Sequence, residues 1–177
     1  PRGTGFLYVR RSLIERLEPP FIDLHSADWT GADSYTLRPD ARRFENWECF
    51  VAGKIGLGVA ADYAMSLGLE AICERAWSLA DRLRQGIEAI RGARLHDLGT
   101  PRAAIVSFTL DGVEPPAIKQ RLAEEKINVT VSNLPSTRLD MAARGLAQVV
   151  RASPHYYNSE AEIDRAIDAI GRLARSA

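Results

Sequence analysis

Charge of one sign, cysteine, lysine and long apolar runs are what this sequence has little of. Its 23 basic and 23 acidic residues cancel to a formal net charge of zero, which leaves no electrostatic footprint for nucleic acid and no polybasic signal for an anionic membrane. Two cysteines, Cys49 and Cys73, are too few for a disulfide framework and lack metal-ligand spacing. The three histidines, His25, His96 and His155, are too far apart for a helix-borne zinc site, so no metal is expected. There is no phosphate loop, because Gly3-Thr4-Gly5 lacks the spacing and the following lysine, and no serine-hydrolase elbow. No signal peptide or long apolar run opens the chain, which points to a cytoplasmic protein. The chain begins at Pro1 rather than Met, in a turn that reads as the middle of a polypeptide.

What is present has the apolar content of a globular protein, 46% of residues, enough to bury a core. The glycine turn at 3–5 leads into Phe6, Leu7, Tyr8 and Val9, an apolar run predicted to be a buried strand. Ser12 to Leu17 forms at most a helical turn before Pro19 and Pro20. Residues 21–45 read as a long irregular loop, a feature that in a compact protein is usually functional or touches a partner. Trp47 to Leu67 reads as a helix rich in small residues, suited to close packing against another helix or a subunit. Leu69 to Ile90 is a clearer amphipathic helix, with Leu69, Ile72, Ala76, Leu79, Leu83, Ile87 and Ile90 inward and Glu74, Arg75, Arg82 and Arg84 left to solvent.

Beyond a boundary near 91–100 the rhythm changes to alternating short strands and helices. Strands are expected at 103–110, 127–132 and 149–153, helices at 116–125 and 159–175, and a loop over most of 133–146. Ser159-x-x-Glu162 is a capping box, and Ile163, Ile167 and Ile170 form the last helix's buried stripe. The fold class is α/β to α+β, divided into residues 1–92 and 93–177.

One residue stands out. Arg151 sits inside an apolar strand, between Val150 and Ala152, just before the turn Ser153-Pro154-His155-Tyr156-Tyr157-Asn158. It must find an anion: either a nearby carboxylate in a salt bridge, or a substrate carboxylate that its planar fork can clamp.

The run RASPHYYNSEAEID at 151–164 resembles the closing motif of class V aminotransferases, pyridoxal-phosphate enzymes of fold type I that include cysteine desulfurases and isopenicillin N epimerase-like proteins. PRGTGFLYVRR, ARRFENWE, GLGVAADYAMSLGLEAI and STRLDMAARGL resemble further family segments, so the likeness covers nearly the whole chain. It implies the end of the large cofactor-binding domain followed by a small α+β domain, with the Schiff-base lysine upstream of Pro1. No catalytic residue is therefore expected within the chain, and none of Lys54, Lys119 or Lys126 stands in a matching context. Arg151 inherits the role of holding the substrate α-carboxylate. Ser136 and Arg138 fall where the family lines the substrate entrance, although Arg138 could simply pair with Asp140. Asn46 and Trp47 fall on the loop that reaches across a homodimer to the neighbouring cofactor.

The sequence departs from the family pattern where Asn46-Trp47-Glu48 replaces a Gly-Thr pair; a carboxylate at Glu48 would repel the cofactor phosphate. The stretch 132–140 lacks the nucleophilic cysteine of cysteine desulfurases, and Cys49 and Cys73 read as helix core or interface residues. The resemblance implies aminotransfer, epimerisation or elimination on an amino acid, in an enzyme of which this portion alone is inactive. The competing reading is a non-catalytic dimerisation or interaction module derived from such an enzyme.

Overall fold

The computed structural model describes residues 3–176. The chain divides into two compact units, Pro1–Ser66 and Leu67–Ala177.

The first unit is built locally. Helix α1 is a single turn, Arg11–Ile14. The expected loop of 21–45 instead holds a hairpin, β1 (Ala27–Gly31) and β2 (Ser34–Leu37), paired antiparallel with Trp29 opposite Tyr35. Alternation here carries no apolar face, so the period-two signal is weak. A 3-10 turn follows at Ala41–Phe44, capped by the Asp40 side chain, which accepts from the Arg42 backbone N–H. Helix α2 spans Val51–Leu67, starting later than expected, so Cys49 precedes it and is exposed. Phe6 to Val9 is not a strand. No strand pairs with it among the described residues, and Phe6 and Tyr8 are 88% and 80% exposed. An apolar run becomes a buried strand only when ladder partners meet it.

In the second unit, Gly68 lies at φ +87°, a conformation side chains resist, and helix α3 (Leu69–Glu88) begins directly after it. Strands β3 (Ala93–Leu95), β4 (Val106–Leu110), β5 (Thr130–Asn133) and β6 (Gln148–Ala152) form an antiparallel sheet in the order β3-β4-β6-β5. Helices α4 (Pro115–Glu124), α5 (Arg138–Ala143) and α6 (Glu160–Arg175) complete it. Because β6 runs against both β4 and β5, those two are parallel but separated, making β4-α4-β5 a split βαβ unit.

The core forms where β4 and β6 turn Val106, Phe108, Leu110, Val150 and Ala152 toward Leu79, Leu83 and Ile87 of α3, Ile118 and Leu122 of α4, and Ile163, Ile170 and Leu173 of α6. Gly86 lets α6 approach α3, since a Cβ there would lie 2.3 Å from Ile167 Cδ1. The expected capping box at Ser159 and Glu162 is present. Arg84 is not at the surface. It is 1% exposed and binds Asp97 at 2.7 Å, Asp81 at 2.8 Å and the Ala103 carbonyl at 2.5 Å. Helical periodicity marked its position as polar, but tertiary contacts turned it inward onto the β3–β4 loop. Among the described residues no single helix is long and apolar enough to cross a membrane.

Candidate functional site

Strand alternation decides where Arg151 faces. Its neighbours Val150 and Ala152 point into the core, so Arg151 stands on the opposite face of the sheet, exposed. Ser107 of β4 and Thr130 of β5 lie directly opposite it in the register and share that face. His96 continues the row on the far side of Ser107, since its backbone N–H donates to the Ser107 carbonyl at 2.8 Å. A line of His96, Ser107, Arg151 and Thr130 thus crosses the sheet on the side away from the core.

Several other guanidiniums of this unit hold carboxylates. Arg84 holds two aspartates, Arg75 chelates Glu160, Arg82 chelates Asp164 at 2.6 and 2.7 Å, and Arg94 reaches Asp111 at 3.3 Å. The Arg151 guanidinium makes no ion pair or hydrogen bond among the described residues; only its backbone carbonyl is engaged, by Thr130 Oγ1 at 3.4 Å. The carboxylate partner that would make it a structural bridge is not supplied by this unit.

Ser136 and Arg138 both lie exposed, the first in a 3-10 turn (Leu134–Ser136) and the second opening α5. Arg138 does not pair with Asp140. That carboxylate instead accepts from Arg144 at 2.9 Å, one helical turn on, the spacing that brings side chains together on a helix. Arg144 also donates to the His96 carbonyl, fastening the end of α5 at the edge of the Arg151 face. Burial together with the nearby charges of Arg144 and Arg94 lowers the pKa of His96, whose Nε2 lies 2.8 Å from Thr109 Oγ1. The turn after β6 is tied to α3 through Arg75, which reaches both Glu160 and the Asn158 carbonyl. Its rings pack on one another, His155 against Tyr157 at 4.8 Å, with Tyr157 73% exposed. A 340 Å³ cleft between α4 and α6 lies on the core side of the sheet, and Arg151 is not among its lining residues.

In the first unit, Asn46 and Trp47 follow the 3-10 turn. Asp23 organises them: its carboxylate accepts from the Trp47 backbone N–H at 2.7 Å and from the Asn46 side chain, contacts that hold its pKa below the usual range. The Trp47 indole stays exposed beside the His25 ring, 6.3 Å away. Trp29 and Tyr35 are 70% and 52% exposed and so are not core. Glu45 holds His25 at 3.1 Å. Arg43, just before these residues, is 7% exposed and its Nε has no partner. Sequence reasoning passed over Arg43, because nothing in the pair Arg42-Arg43 says which guanidinium turns inward. Arg144 was legible in principle from its four-residue spacing to Asp140. The lysines lie elsewhere: Lys54 on α2, Lys119 on α4 and Lys126 just after α4.

The aminotransferase class-V family model matches residues 1–166. A cysteine desulfurase of Synechococcus elongatus is 30% identical over 98% of this chain and 28% of its own length. A protein named probable cysteine desulfurase in Pseudomonas putida is 31% identical over 96% of this chain and 42% of its own length. The apo structure of a cysteine desulfurase from Thermococcus onnurineus superposes with a TM-score of 0.83 at 26% identity, covering 96% of this chain and 42% of that one. The chain spans at most about two fifths of the length of these relatives.

Proposed function

The chain belongs to the class V aminotransferase family, and from that premise we propose that it forms the substrate-carboxylate side of a pyridoxal-phosphate-dependent enzyme acting on an amino acid. The observation that carries this reading is the Arg151 guanidinium, exposed and unpaired on the face of the sheet away from the core, while Arg75, Arg82 and Arg84 each hold carboxylates. Its planar fork offers two parallel N–H donors at the spacing of a carboxylate. Ser107 and Thr130, its cross-strand neighbours, bring hydroxyls to either side.

The cofactor is a phosphorylated aromatic aldehyde, and the residues in hand suit parts of it. Trp47 presents an exposed ring, and Asn46, though held by Asp23, keeps a second amide N–H and its oxygen. Pyridoxal phosphate, when bound, supplies an electron sink for the carbanion formed at the substrate Cα. This chain's share is to bind and orient: Arg151 fixes the α-carboxylate, and Ser136 and Arg138 at the exposed approach select what enters. The lysine that carries the cofactor lies outside this chain on this reading: Lys54, on α2, stands in no context that matches the family's lysine, and Lys119 and Lys126 belong to or follow α4, which packs on the core face of the sheet, opposite Arg151. On this reading residues 1–92 are the end of the large domain and residues 93–177 the small domain of a cytoplasmic homodimer.

Aminotransfer, epimerisation and elimination all share this start. Of the family's subgroups the isopenicillin N epimerase-like one is the nearest to this sequence, which leaves the reaction itself among these three. Desulfuration through a protein persulfide is less well supported by these residues, because the 132–140 stretch has no cysteine and Cys73 sits on α3, on the core side of the sheet.

The test is on the polypeptide that carries this chain: pyridoxal phosphate is added, the adduct is reduced with borohydride, and the labelled lysine is mapped. A label outside the 177 residues, with Arg151→Ala raising the amino-acid KM by about 10- to 100-fold while Arg151→Lys recovers part of it, is the expected result. A label on Lys54, Lys119 or Lys126 would overturn the assignment of the lysine. No label at all would leave the non-catalytic module as the better account.

A further inference from the structure

Arg43 is a buried cation with no counter-charge. It is 7% exposed, its Nε is enclosed without a partner, and its guanidinium makes no hydrogen bond or ion pair among the described residues. Burying a charged side chain without compensation is among the costliest arrangements in a protein. A lysine could escape by shedding its proton, but a guanidinium keeps its charge.

Four carboxylates of the same segment are engaged elsewhere, and the other two, Asp33 and Glu48, form no ion pair with Arg43. Asp40 chelates Arg42 through contacts of 2.7 to 3.1 Å, Asp28 faces Arg38 at 3.5 Å, and Glu45 holds His25. Asp23 accepts from the backbone N–H groups of His25 and Trp47. Arg38 and Arg42, the other arginines here, have partners. Arg43 differs from them in being both the most enclosed and the only one of the three without an acceptor. The 3-10 turn holds it there: Asp40 caps the turn and the Arg43 backbone N–H bonds the Asp40 carbonyl at 3.1 Å, so the side chain is presented by a pinned backbone.

We infer that Arg43 is the receptor for an oxyanion, a phosphate or a carboxylate, that the unit itself does not supply. Two donors of a guanidinium fork match two oxygens of either group. The source is a phosphate-bearing small molecule or a carboxylate of a second copy of this chain, and the two are separable by experiment. This inference stands apart from the reading of Arg151, which lies in the other unit, so either can fail alone.

The test uses the full polypeptide that carries this chain, observing the arginine Nε–H resonances by ¹⁵N NMR, with association state measured by sedimentation equilibrium. The Arg43 resonance is identified by its loss in both Arg43→Met and Arg43→Lys, of which the second keeps the charge if the first fails to fold. Inorganic phosphate is expected to shift that resonance saturably, with sodium chloride at matched ionic strength leaving it in place. Absence of a phosphate response combined with a dimer that becomes monomeric in Arg43→Met also supports the inference and assigns the oxyanion to the second copy. Neither a phosphate shift nor a change in association, with Arg43→Met melting at or above the wild type, would overturn it. That outcome is what replacing a merely buried charge by an apolar side chain of similar length produces.

Discussion

The two units use their apolar residues in opposite ways. In the second, Leu79, Phe108, Ile118, Val150 and Ile170 belong to one contiguous cluster and are each at most 1% exposed. In the first, Pro19 and Ala27 are the only buried apolar side chains among the described residues, while Phe6, Phe21, Trp47, Phe50 and Ile55 stand 61% to 88% exposed. Both stretches look equally apolar as sequence. A hydrophobic pattern reports that a face wants covering; it does not report that the same segment supplies the cover. The second unit is a self-sufficient lobe, and the first is a set of correctly formed local pieces, a hairpin, a capped turn and a helix, whose apolar faces remain open.

The largest effect that would break this contrast comes from the core. Phe108→Ala should cost about 3–5 kcal/mol, the range for deleting a buried aromatic ring, read as a fall in the midpoint of denaturant unfolding. Phe50→Ala in the first unit should change stability by less than about 0.5 kcal/mol, as for a surface position. Equal losses would mean the exposed residues carry a core of their own. Arg84→Met comes next, at the lower end of about 3–5 kcal/mol, because it strands Asp97, whose second oxygen is already buried without a partner. Adding Asp97→Leu to that variant should recover much of the loss, since the orphaned carboxylate is then gone as well.

Arg84 also marks where sequence stops being informative. The helices α3, α4 and α6, the strands β4, β5 and β6 and the capping box at Ser159 were all legible, because each rests on local periodicity or a fixed spacing. Arg84 occupies a polar slot of α3 by that same periodicity, yet the β3–β4 loop folds over it, a contact thirteen to twenty-one residues away that no helical pattern encodes. The strand β3 was missed because its signal is three residues long, and the hairpin β1–β2 because its alternation carries no apolar face. Phe6 to Val9 shows the reverse error, a strong local signal without a ladder to join. At the candidate site, Arg151 could be picked out by its neighbours Val150 and Ala152, which fix its face by alternation. That it has no carboxylate partner could only be learned in three dimensions. The same holds for Arg43, where burial and isolation are both properties of the folded loop.

A smaller perturbation tests how the last helix is set against α3. Ser159→Ala removes a side chain that accepts from the Glu162 backbone N–H at 3.3 Å and should cost about 1 kcal/mol. The loss should appear in the second unit alone, measured by hydrogen exchange of the first turn of α6. The bidentate pairs Arg75–Glu160 and Arg82–Asp164 should contribute less, being solvent-exposed. The Arg75 contact that draws Glu160 down to about 2 gives the pair a signature: its stabilisation is present above the ordinary glutamate range and fades as pH falls toward 2.

The smallest expected effect is the pH response of His96, and its sign is fixed by its surroundings. Burial is the largest cause of its lowered pKa, followed by the charges of Arg144 and Arg94, with Asp97 opposing them. The folded state therefore binds the His96 proton less readily than the unfolded chain, whose histidine titrates near 6.5. Where the unfolded state holds more protons, stability rises with pH. The neutral ring's contribution is thus fully present above about 6.5 and is lost as pH falls through the lowered value. Because His96 is only half-buried, the slope should be shallow. His96→Gln keeps a hydrogen-bonding group near Thr109 and removes the titration, so its unfolding midpoint, compared with wild type between pH 7 and 5, should fall less steeply on acidification. If the two proteins lose stability in parallel across that window, His96 is no more shielded than a surface histidine, and the fastening of α5 by Arg144 at its carbonyl does not enclose it.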